Sequence, residues 1–164
     1  VDAMAAEGRP FVGVIFFGLM LTEDGPKVLE YNARFGDPEA QVVLPRMKND
    51  IIDVMEACVY GRLDEIDLQF EDNAAVCVVL ASDGYPVSYE KGKEISGIDS
   101  VDKDIYVYHN NTKVNGNKIL TDGGRVLSIT ALGNSYDEIR EKVYRNIEKI
   151  SFETKQYRKD IGKM

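Results

Sequence analysis

A long apolar stretch and a shorter one that follows it dominate the first part of the chain. Residues 11–22 (FVGVIFFGLMLT) are apolar at nearly every position, which predicts a strand buried on both faces. A turn over residues 23–26 (EDGP) follows, and residues 27–32 are predicted to return as an antiparallel partner. A strand pair that is apolar on both faces needs a covering layer on each side. The pattern therefore predicts that this module is a piece of a larger layered structure.

Helical patterns flank this strand pair. Residues 1–9 read as the end of a helix that closes at Gly8, and residues 38–44 as a short helix. A further helix is predicted to start at Asp50 as its N-cap and to stop at Gly61. The apolar stripe of that last helix comprises Ile51, Val54, Met55, Cys58 and Val59.

The second part of the chain is predicted to be rich in strands. An acidic stretch without periodicity, residues 62–73, reads as a linker. Strands are predicted at 74–82 and 104–109, and a hairpin through the double glycine at 123–124 is predicted to join 117–121 to 125–133.

One helix follows, with Ser135 and Glu138 forming a predicted capping box. Its apolar stripe comprises Ile139, Val143, Ile147 and Ile150. The polar tail over 152–162 is predicted to be extended. The chain thus reads as an α+β protein with two modules, residues 1–61 and residues 62–164.

Composition narrows the classes of function. The 164 residues are 44% apolar and 29% charged, which is typical of a globular protein. The net charge of −8 argues against sequence-independent binding to nucleic acid and against binding to anionic membranes. The two cysteines form no CxxC pair and the single histidine, His109, follows a strand, so we expect free thiols, no zinc site and a cytoplasmic location.

The stretch EYNARFGDPE at residues 30–39 carries the candidate chemistry. It places Glu30, Asn32 and Arg34 at alternate positions, and strand alternation would put all three side chains on one face. Two hard oxygen ligands beside a guanidinium suit a polyphosphate bridged by Mg²⁺. Asp37 followed by Pro38 reads as a helix start, whose free N–H groups favour an anion. The alternative is a sheet edge with three solvated polar side chains.

Five segments together resemble the phosphoribosylamine–glycine ligase (glycinamide ribonucleotide synthetase) family of ATP-grasp enzymes. The segments, which occur in the order and spacing of that family, are MAAEGRPFVGVIFFGLML, EYNARFGDPE, LPRMKND, GGRVLSITALG and YRKDIG. The resemblance covers essentially the whole chain. It implies that residues 1–61 are the end of an ATP-grasp domain and residues 62–164 a β-rich, barrel-sandwich-like carboxy-terminal domain.

The resemblance also implies a reaction and a set of site residues. ATP, glycine and 5-phosphoribosylamine would give ADP, phosphate and glycinamide ribonucleotide through glycyl phosphate. Glu30 and Asn32 would hold Mg²⁺ or Mn²⁺, and Arg34 would stabilise the transferring phosphoryl group. Asp37, with Glu39 beside it, would contact the substrate, although an N-cap role would equally explain Asp37.

Further phosphate contacts implied by the resemblance involve three cations. They are Arg125, Arg158 and Lys159, for each of which a solvated surface position is the alternative. The double glycine before Arg125 reads as a turn rather than a phosphate cradle, because no helix follows it directly.

Family members also carry an amino-terminal substrate domain and a lid that contacts ATP, and neither is recognisable in this chain. We therefore expect the native product to extend before Val1, and the 164 residues alone to lack ligase activity and to bind ATP weakly at best. Two other functions remain open: a different ATP-grasp ligase, such as a carboxylase or a formate-using enzyme, and a non-catalytic β-rich interaction module.

Overall fold

The computed structural model describes residues 1–163 and contains both helices and antiparallel strands. The helices are α1 (Asp2–Ala6), α2 (Ala40–Val43), α3 (Ile51–Val59) and α4 (Tyr136–Ile147), with 3₁₀ turns at Leu44–Arg46, Leu63–Glu65 and Ile98–Ser100. The strands are β1 (Phe16–Thr22), β2 (Gly25–Asn32), β3 (Ala74–Ser82), β4 (Glu94–Ile95), β5 (Tyr106–His109), β6 (Thr112–Asn115), β7 (Lys118–Thr121), β8 (Arg125–Gly133) and β9 (Lys155–Gln156). This mixture confirms the predicted α+β class.

The chain divides into two compact units. The first comprises Val1–Ala40 and Met47–Glu71, and the second comprises Gln41–Arg46 and the chain from Asp72 onward. The stretch predicted as a linker holds a 3₁₀ turn, and Phe70 forms an isolated antiparallel bridge with Met47. The assignment of residues 1–61 and 62–164 to two named domains stays a prediction.

The strand pair of the first unit forms as predicted, but it is not buried. Strands β1 and β2 make an antiparallel two-stranded sheet that starts at Phe16, so residues 11–15 lie outside it. The side chains of Leu21 and Tyr31 are 82% and 64% exposed. The prediction of a buried strand is therefore wrong for the described chain, because this unit places no second layer over the hairpin.

The helix starts of the first unit differ in how well the sequence predicts them. The Asp50 side chain accepts a hydrogen bond of 2.8 Å from the backbone N–H of Ile52, which confirms its role as N-cap of α3. The N-cap prediction for Asp37 is wrong, because residues 37–39 form a turn and α2 begins only at Ala40.

The second unit has two antiparallel sheets and one long helix. Strand order is β5-β8-β3-β9 in the first sheet and β4-β7-β6 in the second. One face of the central pair β3 and β8 carries apolar residues that pack with the buried stripe of α4. The stripe predicted from periodicity, Ile139, Val143, Ile147 and Ile150, is at most 1% exposed. The hydrophobic core of the protein lies here.

Two local predictions in the second unit are wrong. The stretches 117–121 and 125–133 do not pair, because β7 belongs to the three-stranded sheet and β8 to the four-stranded sheet. Instead β7 pairs with β6, a strand that the sequence pattern misses, across a turn at Gly116. Ser135 stands at the N-cap of α4 without a side-chain cap hydrogen bond, so the capping box does not form.

The tail is extended only at β9, where it pairs with β3. Within residues 1–163, none of the helices has the length and apolar character needed to cross a membrane.

Candidate functional site

Strand β2 presents Glu30 and Asn32 from the same face of the hairpin. Glu30 pairs with Gly18 and Asn32 with Phe16, and residues directly opposite in an antiparallel pair share a face. The register shifts between Gly18 and Leu19, so the irregularity lies next to Glu30 and leaves the spacing from Glu30 to Asn32 intact. The structure thus brings these two predicted ligands together.

Glycine 18 is what lets the Glu30 side chain lie across β1. A Cβ added at Gly18 would stand 2.9 Å from Cγ of Glu30, closer than carbon atoms approach without strain. The apolar run of β1 therefore contains one position where a side chain would push the candidate ligand away. The opposite face carries the aromatic pair Phe17 and Tyr31, whose ring centroids are 5.1 Å apart at 79°.

Arg34 does not share this strand face. Strand β2 ends at Asn32 and residues 33–34 form a bend, so strand alternation covers two of the three predicted positions. An Nη atom of Arg34 donates a 2.7 Å hydrogen bond to the carbonyl oxygen of Phe35. The exposed guanidinium is therefore held against its own backbone turn.

A second carboxylate reaches the region of Glu30. The Glu39 side chain folds back over the buried Gly36, where an added Cβ would come within 2.1 Å of the carboxylate oxygen. Glu30 and Glu39 line one open pocket of about 550 Å³ together with Phe16, Phe17, Gly18, Leu19 and Leu29. The pocket is therefore lined by two carboxylates and otherwise by apolar residues and Gly18.

The donor chemistry of this pocket fits a hard divalent cation. Carboxylate and amide oxygens are the protein ligands that Mg²⁺ and Mn²⁺ take, and Mg²⁺ completes its shell with water and substrate phosphates. Within residues 1–163, no cluster of three or more His, Cys, Asp or Glu side chains could hold a metal by itself. Glu30 lines the pocket and Asn32 lies on the same strand face, so a cation at this face would also need oxygens from a bound ligand.

Arg125 lies at the start of β8 in the second unit and is held by neighbouring groups. Its Nε donates a 2.9 Å hydrogen bond to the hydroxyl oxygen of Tyr85, and its guanidinium carbon is 5.8 Å from the centre of that ring. The side-chain amide of Asn111 donates to the Arg125 carbonyl oxygen at 2.8 Å. The half-buried Arg125 is therefore an oriented cation rather than a freely solvated one.

The other two predicted cations belong to a tail that is anchored to α4. The Arg158 guanidinium forms a two-pronged ion pair with Asp160, at 3.0 and 2.6 Å. Backbone carbonyls of Arg158 and Lys159 accept hydrogen bonds of 2.7 Å from Tyr144 and Arg140. These contacts give the YRKDIG segment a structural role in joining the tail to the helix.

A dense charged cluster elsewhere in the second unit also supports the fold. Asp102 accepts hydrogen bonds from the side chains of Lys149, Asn146 and Arg145 on or just after α4, at 2.6, 3.0 and 3.2 Å. These bonds, with that from Lys149 the largest cause, hold the pKa of Asp102 well below its ordinary value. The cluster fixes the loop before β5 to the helix.

The sequence analysis missed the uncharged residues that position the charged side chains of these sites. Gly18 and Gly36 make room for carboxylates, and Tyr85 holds Arg125. A glycine inside an apolar strand pattern is a signal for close approach or a bulge, so Gly18 was recognisable in principle. Tyr85 lies 40 residues from Arg125 and nothing in the local pattern connects them.

Comparison with known proteins identifies the family to which the chain is similar. The family model described as "Phosphoribosylglycinamide synthetase, C domain" matches residues 75–164, and the model described as "Phosphoribosylglycinamide synthetase, ATP-grasp (A) domain" matches residues 1–40. A protein named phosphoribosylamine–glycine ligase from Caldanaerobacter subterraneus is 55% identical over 99% of this chain. The chain spans 39% of the length of that relative.

Other relatives extend the likeness. The trifunctional purine biosynthetic protein adenosine-3 of Gallus gallus is 45% identical over 99% of the chain, which covers 16% of that protein. A crystal structure of phosphoribosylamine–glycine ligase from Thermotoga maritima matches 97% of the chain and 39% of its own, with a TM-score of 0.82 and 34% identity. N5-carboxyaminoimidazole ribonucleotide synthetase from the same organism shares the fold, with a TM-score of 0.55 and 14% identity. The family models together match both ends of the chain, and the chain therefore belongs to the phosphoribosylglycinamide synthetase family.

Proposed function

We propose that the full-length protein joins glycine to 5-phosphoribosylamine, with ATP converted to ADP and phosphate. The observation that carries this proposal is the 55% identity, over 99% of the chain, to a protein named for that ligation. The proposed sequence of steps transfers the γ-phosphoryl group of ATP to the glycine carboxylate, and the amine of phosphoribosylamine then displaces phosphate from the acyl carbon. The geometry of the first unit supplies oxygen ligands suited to the first step.

Glu30 and Asn32 are proposed to hold Mg²⁺ or Mn²⁺. Their common strand face and the space above Gly18 support this assignment. When bound, the cation would neutralise the polyphosphate charge that otherwise repels the attacking carboxylate. The carboxylate of Glu30 and the amide oxygen of Asn32 would hold the cation at the end of β2.

Three residues after β2 are proposed to act on the reacting groups. Arg34 would offset the charge of the transferring phosphoryl group, for which its exposed guanidinium must leave the Phe35 carbonyl. Asp37 would orient the substrate amine. Glu39 shares the pocket of Glu30 and would contact the substrate.

The phosphate of phosphoribosylamine is proposed to bind at Arg125, with Arg158 and Lys159 as further candidates. The contacts of Arg125 with Tyr85 favour it, since an oriented guanidinium binds phosphate oxygens with less loss of entropy. The Asp160 carboxylate already pairs with Arg158, which weakens the case for that residue.

Free Cys58 and Cys77 are compatible with the reducing cytoplasm that we propose as the compartment.

The test is Glu30→Ala combined with Asn32→Ala in the full-length protein. We expect ADP release that depends on glycine and phosphoribosylamine to fall by orders of magnitude, while thermal unfolding stays unchanged because Glu30 is exposed. Unchanged turnover would support the non-catalytic alternative, and turnover with other acids or acceptors in place of glycine and phosphoribosylamine would support a different ATP-grasp ligase.

The 164-residue chain by itself is proposed to be inactive. Positioning two substrates against ATP supplies much of the rate in phosphoryl transfer, and one face of a nucleotide site cannot do so alone. Turnover by this chain at ordinary enzyme rates would contradict the proposal.

A further inference from the structure

Tyr85 and Arg125 form a pair that joins the loop after β3 to the start of β8. The hydroxyl oxygen of Tyr85 accepts a 2.9 Å hydrogen bond from Nε of Arg125. The guanidinium carbon also lies 5.8 Å from the ring centre, near the outer limit of a cation–π contact. Tyr85 thus contacts the guanidinium through both its polar and its aromatic parts.

The double glycine before Arg125 is shaped to admit this tyrosine. A Cβ added at Gly124 would lie 2.0 Å from Cδ2 of Tyr85, so any side chain there would displace the ring. A Cβ added at Gly123 would lie 2.5 Å from Cβ of Asn111, whose amide binds the Arg125 carbonyl oxygen. Both glycines are therefore needed for close approach and not only for a turn.

The loop that carries Tyr85 is itself fixed to this glycine pair. The backbone N–H of Ser82 donates to the Gly124 carbonyl oxygen at 2.8 Å, and the Ser82 hydroxyl donates to the Gly123 carbonyl oxygen at 3.0 Å. The buried Ser82 ends β3 and begins the turn that returns Tyr85 to Arg125. The backbone around Arg125 is thus anchored before any ligand binds.

We propose that Tyr85 is a positioning residue, which holds the Arg125 guanidinium in the orientation that binds the phosphate of a ribose phosphate. This inference rests on the proposed function, which assigns Arg125 to that phosphate. A hydrogen bond at Nε fixes the rotation of the guanidinium plane, and a fixed plane aims its paired N–H groups at phosphate oxygens. Tyr85 acts through Arg125 and does not itself touch the substrate.

The proposal predicts a specific pattern of affinities in the full-length protein. With ribose 5-phosphate as the probe, Tyr85→Phe should weaken binding roughly 3- to 10-fold, the order expected for the loss of one ordinary hydrogen bond. Tyr85→Leu should weaken it further, and Gly124→Ala should reproduce the defect because its methyl group displaces the ring. The KM for ATP should stay unchanged, and Tyr136→Phe, at an exposed tyrosine on α4, serves as the matched control.

The decisive experiment is a double-mutant cycle with Arg125→Met, measured by calorimetric titration of ribose 5-phosphate. If Tyr85 acts through Arg125, Tyr85→Phe has no further effect in the Arg125→Met background. If Arg125→Met weakens binding while Tyr85→Phe does not, or if the two effects simply add, the positioning role is refuted and the assignment of Arg125 survives. If Arg125→Met leaves binding unchanged, the assignment of Arg125 to the phosphate fails, and the role of Tyr85 fails with it.

Discussion

Replacement of Gly18 by alanine tests whether the hairpin geometry, and not only the charge of Glu30, makes the candidate metal site. The new Cβ would lie 2.9 Å from Cγ of Glu30, so Cγ must move by about 0.6 Å to restore the 3.5 Å contact of two carbon atoms. Driving a side-chain torsion about 30° from its staggered minimum costs about 0.5–1.5 kcal/mol. That free energy corresponds to a roughly 2- to 13-fold loss in affinity for the cation.

The assay is ADP release by the full-length protein as a function of Mg²⁺ concentration. We expect Gly18→Ala to raise the Mg²⁺ concentration for half-maximal rate by that factor, and to leave the thermal unfolding midpoint nearly unchanged because the displaced carboxylate is exposed. Glu30→Ala supplies the matched background, because it removes the atom that the methyl group would meet. An unchanged Mg²⁺ requirement, or the same further loss in the Glu30→Ala background, would refute the reasoning.

Three further predictions concern stability of the 164-residue chain. Ile147→Ala should lower the free energy of unfolding by about 2–5 kcal/mol in a denaturant titration, because the side chain is fully buried in the core, and a loss below 1 kcal/mol would contradict that packing. Hydrogen bonds led by that from Lys149 hold the folded pKa of Asp102 below its unfolded value, so its stabilising contribution is complete above the unfolded pKa and is lost as pH falls. The difference in unfolding midpoint between the wild type and Asp102→Asn should therefore shrink between about pH 5 and pH 2, and a difference that is constant with pH would exclude this linkage. Asp50→Ala should lower the free energy of unfolding by about 1 kcal/mol, because the backbone N–H of Ile52 loses the carboxylate that caps α3. The loss should be seen as reduced helical circular dichroism on mild heating, and Asp53→Ala, inside the helix, is the control.

Periodicity predicted α4 and β3, whose apolar faces are buried within the same unit. The stripe of α4 and the strand at Ala74–Ser82 agree with the prediction because an apolar face and a buried position coincide there. The hairpin error at Gly123 and Gly124 arose because a double glycine reads as a turn, whereas here it is a site of close packing against Tyr85 and Asn111. Sequence alone cannot distinguish a glycine that forms a turn from a glycine that allows a neighbouring side chain to pack against the backbone.

The sequence correctly predicts the geometry of the candidate site only for the residues that lie within strand β2. Glu30 and Asn32 share a face because β2 continues to Asn32, and the same rule fails at Arg34 because the strand has ended. Asp37 was assigned to a helix N-terminus from local preference alone, and the helix begins three residues later at Ala40. The contact of Glu39 with Gly36 depends on a backbone turn that no periodicity describes.

The exposure of β1 and β2 links the stability of the hairpin to the chemistry proposed for it. In the second unit, apolar strand residues meet the stripe of α4, and Leu127 and Ile129 are fully buried. In the first unit, an equally apolar pair of strands leaves Leu21 82% exposed. Contiguous apolar surface of this kind marks an interface, so we expect a further layer to pack against the hairpin. Glu30 and Asn32 lie on this hairpin, and a layer packed against it would at the same time restrict the geometry of the proposed metal ligands.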